Sequence, residues 1–580
     1  SSHFGFGKAK FVFRDLLGSR SIMKALVVVN CFPPLLKNAG GVSKRYLTLC
    51  RALIDGLGWK VTLLTPVNVA SSKEDDVARW LEAGSLVHLA ARGVRIESKY
   101  DGVAVFLDLM SGINAELILR ELCGNRDYDC VFTDDLVWRF EFLLLTRAMG
   151  VPTVTSTHTD ITHMPSCKGV VKMVWKLHML SSHLASVHAT VSKVFGMAMS
   201  KKYHLPVDAV WPPILWSSEF QSEPSAWAEA AAAHRNIWLS KLQYQGCKSP
   251  RAIMLSAGRW SSEKRIHLLI DAVPDDCALV IVGDGTSEYA DKICMSGSAS
   301  HRCNVLPLRK MLNARELRLA YAACDLFLSA SNFETLGNTV IEAFCSGTPV
   351  AVQPAQGHLE YVTDQQNSWF VDYDNTSEAK ATLTRIVAAG LDEKTLGRVL
   401  PELAPLGHKL RTATFAVDFD QAVIQKALAV GKKQSLSAGG CGAIIELAKR
   451  SCCFTACVFF WLLLRVMTRF VFVTSADPKF AVLGQLGAAV EDRKLRTVFT
   501  YPCLRLLFGQ GDQSPKSEKE SFIPPPSPSE ISDYDSHFKP AFHRSAAKWF
   551  KTSHEVVVMI ITLLIVGLIL LRGHTSERNV

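Results

Sequence analysis

Ser331-Asn332-Phe333-Glu334-Thr335-Leu336-Gly337-Asn338-Thr339-Val340-Ile341-Glu342-Ala343-Phe344-Cys345-Ser346-Gly347-Thr348-Pro349-Val350 is the stretch that decides the fold. A mostly apolar run, Leu326 to Ala330, precedes it and predicts a buried strand; Pro349 to Val352 predicts the next. Between them a short polar loop leads into a helix predicted from Leu336 to Cys345, which Ser346-Gly347-Thr348-Pro349 stops. The result is a β-loop-α-β unit with one carboxylate, Glu334, on the loop and another, Glu342, inside the helix. Backbone N–H groups of Leu336 and Gly337 at the helix N-terminus are placed to bind an anion. Gly337 has no side chain, so a phosphate can approach closely. Glu342, further along the helix, can accept hydrogen bonds from a pair of sugar hydroxyls. Two acids at one spacing are common by chance, so the rest of the chain must decide.

Upstream, Ile253-Met254-Leu255-Ser256-Ala257 predicts a strand, followed by the loop Gly258-Arg259-Trp260-Ser261-Ser262-Glu263-Lys264-Arg265 and a helix through Ala272. Arg259 and Lys264 flank this strand-to-helix junction, so both cations can reach one diphosphate. The guanidinium grips phosphate oxygens in a fork, and the lysine adds a point charge. Ala278 to Val282 with Gly283-Asp284-Gly285 predicts another strand and glycine turn, and Val305-Leu306-Pro307-Leu308 a short strand.

The alternation begins earlier. Lys24 to Asn30 reads as a first strand of the parallel-sheet type. The loop from Cys31 to Ala39 ends in Gly40-Gly41, and a helix from Val42 to Ile54 and a strand from Lys60 to Thr65 complete a βαβ unit. The paired glycines permit close backbone contact with a ligand; a plain flexible turn is the alternative. Further strands are predicted at Asp129 to Thr133 and Val151 to Thr155, with a helix from Trp138 to Met149 between them. His158-Thr159-Asp160 follows directly. A histidine at the carboxyl end of a parallel strand sits where α/β sheets place ligands.

Together these motifs resemble family 4 of the GT-B glycosyltransferases, the glycosyl transferases group 1, over Lys24 to Ala427. Glu334 and Glu342 stand as the Glu-x7-Glu pair of that family. His158-Thr159-Asp160, Trp175 and Ala189-Thr190-Val191-Ser192 resemble the sulfoquinovosyl-diacylglycerol synthases more narrowly, with Asp160 where those enzymes carry a second histidine. The fold implied is α/β, GT-B: two Rossmann-like domains facing a cleft. The activity implied is that of a retaining hexosyltransferase with no obligatory metal and no cofactor beyond a nucleotide-sugar substrate, a UDP-sugar. Carried over by the resemblance, His158 and Glu334 are catalytic, Glu334 holding hydroxyls of the transferred sugar and His158 its reacting face. Gly40, Gly41, Arg259, Lys264, Gly283, Val305, Leu306, Thr335, Leu336, Gly337 and Glu342 bind the donor, Glu342 at the ribose and the Val305-Leu306 strand end beside the base. The specific expectation is transfer from UDP-sulfoquinovose to diacylglycerol. A mannosyl- or glucosyltransferase of the same family acting on another lipid or polyol is the alternative. A membrane scaffold that binds nucleotide without turnover is a third reading. A Rossmann dehydrogenase would need Gly-x-Gly-x-x-Gly after the first strand, where this chain has Gly40-Gly41.

The chain has 580 residues, 48% hydrophobic and 20% charged, which suits two or three domains with some membrane character. A formal net charge of +10 favours anionic lipid or substrate and does not indicate nucleic acid. The 16 cysteines form no CxxC pair, so neither zinc nor a disulfide framework is suggested. The expected organisation is an N-terminal extension at 1–21, read as the basic end of a fragment or processed chain; an acceptor domain at 22–210; a linker at 211–250; and a nucleotide-sugar domain with crossover helix at 251–430. A hydrophobic membrane-associated segment at 431–509, a disordered linker at 510–553 and a transmembrane anchor at 554–580 follow. Residues 168–186 predict a basic amphipathic helix able to rest on anionic lipid, with a solvated helix face as the equal alternative. Val556 to Leu571 is uncharged and bounded by Glu555 and Arg572, a short span that snorkelling can extend. Basic residues before it place the catalytic domains on the cytosolic or stromal side, and the sulfolipid resemblance points to a plastid. The expected partners are thus a nucleotide-sugar, a lipid acceptor and a membrane. The Asp-Tyr-Asp runs at Asp127, Asp372 and Asp533 read as incidental, not as metal motifs.

Overall fold

The structure, a computed structural model, describes residues 22–436 apart from 30–31, 33–39, 73, 92, 98–103, 109–116, 119–120, 123–127, 134–138, 164–174, 177, 212–217, 286, 297–301, 391–406 and 409–414. Two parallel-sheet α/β domains make up this part of the chain, as the alternation of apolar runs and helical patterns predicts.

The first sheet contains β1 (Lys24–Val28), β2 (Lys60–Thr65) and β3 (Leu86–Ala90). After a separate antiparallel pair, β4 (Gly93–Glu97) and β5 (Ala104–Asp108), it continues with β6 (Cys130–Thr133), β7 (Thr153–Thr157), β8 (Val187–Thr190) and β9 (Ala209–Val210). Their order is β3-β2-β1-β6-β7-β8-β9, parallel throughout. The second sheet is built from β10 (Ile253–Ala257), β11 (Ala278–Gly283), β12 (Val305–Arg309), β13 (Leu326–Ser329), β14 (Val350–Val352) and β15 (Trp369–Phe370), in the order β12-β11-β10-β13-β14-β15. Its pairings too are all parallel. Apolar side chains leave alternate faces. Leu255, Val280 and Val282 enter one core, and Met254, Leu279 and Ile281 the opposite one. The chain runs outward from β10 through β11 to β12 and then returns to β13 on the other side of β10. That reversal opens a crevice at the carboxyl ends of β10 and β13, the usual ligand position in such sheets.

Five helices matter for the site. α1 (Gly40–Arg51) follows β1, and α2 (Lys193–Tyr203) is capped by Ser192, whose side chain accepts from the Phe195 amide. α3 (Ala228–Tyr244) packs on α4 (Ala314–Ala323), which a reciprocal Asn313–Glu316 capping box starts. α5 (Asn338–Cys345) is the helix of the opening stretch.

Three expectations need correction. The helix predicted from Leu336 begins at Asn338, because Gly337 has φ 77° and a left-handed residue cannot lie inside a right-handed helix. Residues 211–250, read as a linker, contain α3, whose Trp238 and Leu242 are buried in the second domain's core with Tyr321 and Phe327. Four residues apart, they share one helix face. In the stretch expected to lie on lipid, the described residues place Trp175 and Met179 inside the core, and Ser181–Leu184 is a 3-10 turn. Residues 168–174 and 177, which carry Lys168, Lys172 and most of the expected apolar face, fall outside the described residues.

The chain crosses back after the second domain. Phe415–Phe419, Asp420–Ile424 and Gln425–Leu436 run on as one helical segment, and Phe419, Val423, Ile424 and Ala427 are buried in the first domain's core. The Phe419 ring lies 4.5 Å from that of Trp211 and 6.0 Å from that of Phe132. Among the described residues no helix is long and apolar enough to cross a membrane. The extension expected at 1–21, nearly all of the membrane-associated segment expected at 431–509, and the linker and anchor expected at 510–580 lie outside the described residues.

Candidate active site

The crevice at the ends of β10 and β13 holds a cavity of about 220 Å³. Its wall is formed by the β10 loop, with Gly258, Arg259 and Lys264, and by the stretch Glu334 to Thr339. Arg259, Lys264, Glu334, Thr335, Leu336 and Gly337 therefore meet around one space, although the chain separates the two groups widely.

Lys264 Nζ donates to Glu334 in a direct ion pair. Burial works to raise the Glu334 carboxyl, but the Lys264 charge, with His358 assisting, holds it below the usual carboxylate range. Arg259 Nη2 donates to Glu263 at 2.6 Å, and Ser261 Oγ donates to the same carboxylate oxygen. The guanidinium is thus fixed beside the cavity by its own loop. Ahead of α5, the amides of Leu336, Gly337, Asn338 and Thr339 have no acceptor among the described residues. Two cations and a helix N-terminus converge on the cavity, an arrangement that attracts an anion.

Gly283 gives room to a neighbouring loop. A Cβ there would stand 1.8 Å from the Gly258 carbonyl oxygen and 2.7 Å from the Trp260 indole nitrogen. Its bareness lets the β10 loop cross the end of β11. Val305 and Leu306 are not brought to the cavity: they pair with Leu279 and Val280, and their side chains are buried in opposite cores. Leu306 instead lines a separate cavity with Ser240, Lys241, Tyr244 and Gln245.

Glu342 is buried and absent from the cavity wall; its Oε2 accepts from Tyr321 Oη at 3.0 Å. Burial raises its carboxyl to about 7, with Lys44 and the tyrosine acting the other way. The Lys44 that acts on Glu342 belongs to α1.

His158 lies across the interface, at the end of β7. Its Nε2 is 2.7 Å from Ser156 Oγ and 3.4 Å from Tyr46 Oη, and the ring packs edge-on against Trp211. Burial, then Arg45 and Arg139, hold its pKa well below the ordinary histidine value, so the imidazole is neutral. It is not part of the cavity wall. Asp160, where a histidine was expected, is fully buried. Although burial opposes ionisation, Lys202, Thr162 and Tyr203 keep it a carboxylate.

Contacts that sequence reasoning missed join the domains. Ser192 Oγ donates to the Thr335 carbonyl at 2.7 Å, and the Glu360 carboxylate accepts from the amides of Lys193 and Val194 at the start of α2. His358, just after β14, was also missed. The rule that selected His158, a histidine beyond a parallel strand's carboxyl end, selects it as well.

Residues 243–397 match the family model described as Glycosyl transferases group 1. The chain is 28% identical over 382 residues to a GDP-mannose-dependent alpha-mannosyltransferase of Mycolicibacterium smegmatis, covering 63% of this chain and 89% of that protein. It is 28% identical over 180 residues to alpha-monoglucosyldiacylglycerol synthase of Streptococcus pneumoniae, 30% of this chain and 40% of that protein. Likeness to sulfoquinovosyl transferase SQD2 of Arabidopsis thaliana is more distant, 24% over 263 residues, 44% of this chain and 48% of that protein. Among solved structures, a glycosyltransferase from Rickettsia africae superposes with a TM-score of 0.52 at 14% identity, over 70% of this chain and 99% of the other. That likeness supports the two-domain fold.

Proposed function

We propose that this protein transfers a sugar, with retention of configuration, from a nucleotide-diphosphate donor to a hydroxyl of a membrane lipid. The observation that carries the reading is the cavity where Arg259, Lys264, Glu334 and the unpaired amides ahead of α5 converge. A diphosphate placed there has its developing charge met by two cations and oriented N–H dipoles already in position, the kind of stabilisation expected to dominate such a reaction. Lys264 then bridges the leaving group and Glu334, which accepts from hydroxyls of the transferred sugar. His158, neutral and held by Ser156, offers a hydrogen-bonding imidazole from the facing domain without adding charge. Glu342, buried behind the cavity wall and bonded to Tyr321, is assigned to the ribose on the family resemblance alone.

A lipid acceptor is supported by the relative named for glucosyldiacylglycerol synthesis and by the apolar run Val556 to Leu571, which we assign as a tail anchor with the catalytic domains on the cytosolic or stromal side. UDP-sulfoquinovose and diacylglycerol are the first pair to test, on the His158-Thr159-Asp160 segment and the likeness to the sulfoquinovosyl transferase. Transfer of mannose from GDP-mannose is the second reading, favoured by the breadth of likeness to the mannosyltransferase.

The test is to incubate membranes bearing the full chain with a panel of UDP- and GDP-sugars and diacylglycerol, following lipid products by mass spectrometry. Glu334→Gln is expected to reduce product at least about 100-fold, the scale on which removing one such interaction acts. A mannosyl or glucosyl lipid would move the donor assignment. Absence of any product, with nucleotide still bound, would favour the scaffold.

A further inference from the structure

His358 is fully buried in a 3-10 turn, His358–Glu360, that packs beside the loop ahead of α5. Its Nδ1 lies 2.7 Å from the Gln353 carbonyl oxygen. A carbonyl can only accept, so Nδ1 bears the proton and Nε2 is left with its lone pair. Among the described residues Nε2 has no hydrogen-bond partner. Buried polar atoms are nearly always satisfied, so an orphan of this kind calls for an explanation. The ring's orientation supplies one. A Cβ on Gly337 would lie 3.3 Å from His358 Cδ2, the carbon bonded to Nε2, so that edge of the ring faces the residue where the unpaired amides gather.

We propose that His358 is a further donor-binding residue, one that takes a proton on Nε2 and donates it in a hydrogen bond to an oxygen of the diphosphate held ahead of α5. This rests on the reading of the cavity as the donor site. The proton comes from solvent, and no bond of the donor is broken. The ring is held below the usual histidine range first by burial; Glu334 and the Gln353 carbonyl favour the imidazolium, and Lys264 opposes it. On its own turn, Glu360 is engaged with the amides of Lys193 and Val194. A bound diphosphate adds negative charge next to the ring and shifts that balance towards the charged form. Donor binding is then accompanied by proton uptake, and the affinity for nucleotide falls as pH rises.

Calorimetry of UDP binding to the full chain in detergent, in buffers of differing ionisation enthalpy, measures both affinity and protons taken up. His358→Asn retains an amide where Nδ1 bonds to Gln353 and removes Nε2. It should bind UDP about tenfold or more weakly, the effect of losing a hydrogen bond to a charged group, and without the wild type's proton uptake. His358→Gln, with its amide nitrogen near the Nε2 position, should recover much of the affinity but not the proton uptake. Equal affinity and equal proton uptake in wild type and His358→Asn would overturn the proposal and leave the donor site standing. No binding of UDP or GDP by the wild type would overturn the donor-site reading itself, and the proposal with it.

Discussion

Glu334 and Glu342 belong to one loop-helix unit, yet their surroundings push them in opposite directions. Glu334 has Lys264 against it and stays ionised. Glu342 has burial acting on it, countered by Lys44 and the Tyr321 hydroxyl, and its carboxyl is raised to about 7. The consequence for stability has a definite sign. An acid whose pKa is raised in the folded state favours folding at low pH, and that contribution is lost as pH rises from the ordinary carboxylate range through about 7. The full loss is on the order of 3 kcal/mol. Thermal denaturation should therefore show wild type losing more stability between pH 5 and pH 8 than Glu342→Gln, which retains an acceptor for Tyr321. Parallel curves would mean that Glu342 ionises freely. The sequence makes both acids visible at their spacing but not this difference, because Lys264 and Tyr321 reach them only through the fold.

At the scale of elements, the β10 loop and the turn after β11 are interlocked by bare glycines. Gly258 and Gly283 both have φ near +150° (145° and 152°), but a Cβ on Gly258 meets nothing within 4 Å whereas one on Gly283 collides with the Gly258 carbonyl. Gly258→Ala should cost backbone strain alone, about 1–3 kcal/mol. Gly283→Ala adds the clash and should cost clearly more in urea denaturation; equal losses would remove the close approach from the account. The strand-glycine-turn pattern was legible from residues 278–285, but its purpose was not, since the crossing loop lies earlier in the chain. The same holds for Val305 and Leu306. Apolar runs announce a strand without saying which side chains reach a ligand, and alternation between two cores settles that only when both cores are known. Gly337 illustrates a boundary error with a physical cause: helical periodicity extends back to Leu336, but a left-handed glycine resets the start by two residues. Of the amphipathic pattern around Trp175, the described residues show Trp175 and Met179 turned into the protein core. A sequence pattern does not reveal whether protein or membrane covers an apolar stripe.

The whole molecule works by bringing distant segments to one crevice. The two sheets could be read from the alternation of strands and helices, and the Arg259–Lys264 and Glu334–Gly337 motifs from local chemistry. What joins the domains could not be read: the Ser192–Thr335 hydrogen bond, the Glu360 cap on α2 and the return of Phe419 to the first core each depend on residues more than a hundred positions apart in the chain or on packing that follows domain formation. These contacts tie α2 and the returning helix to the two domains. The most direct test of the account is a crystal structure of the protein with UDP. We expect the diphosphate in the cavity between β10 and β13, bonded to the Leu336 and Gly337 amides, with Arg259 and Lys264 on its oxygens. A diphosphate bound elsewhere, or bound there without those amides, would contradict it.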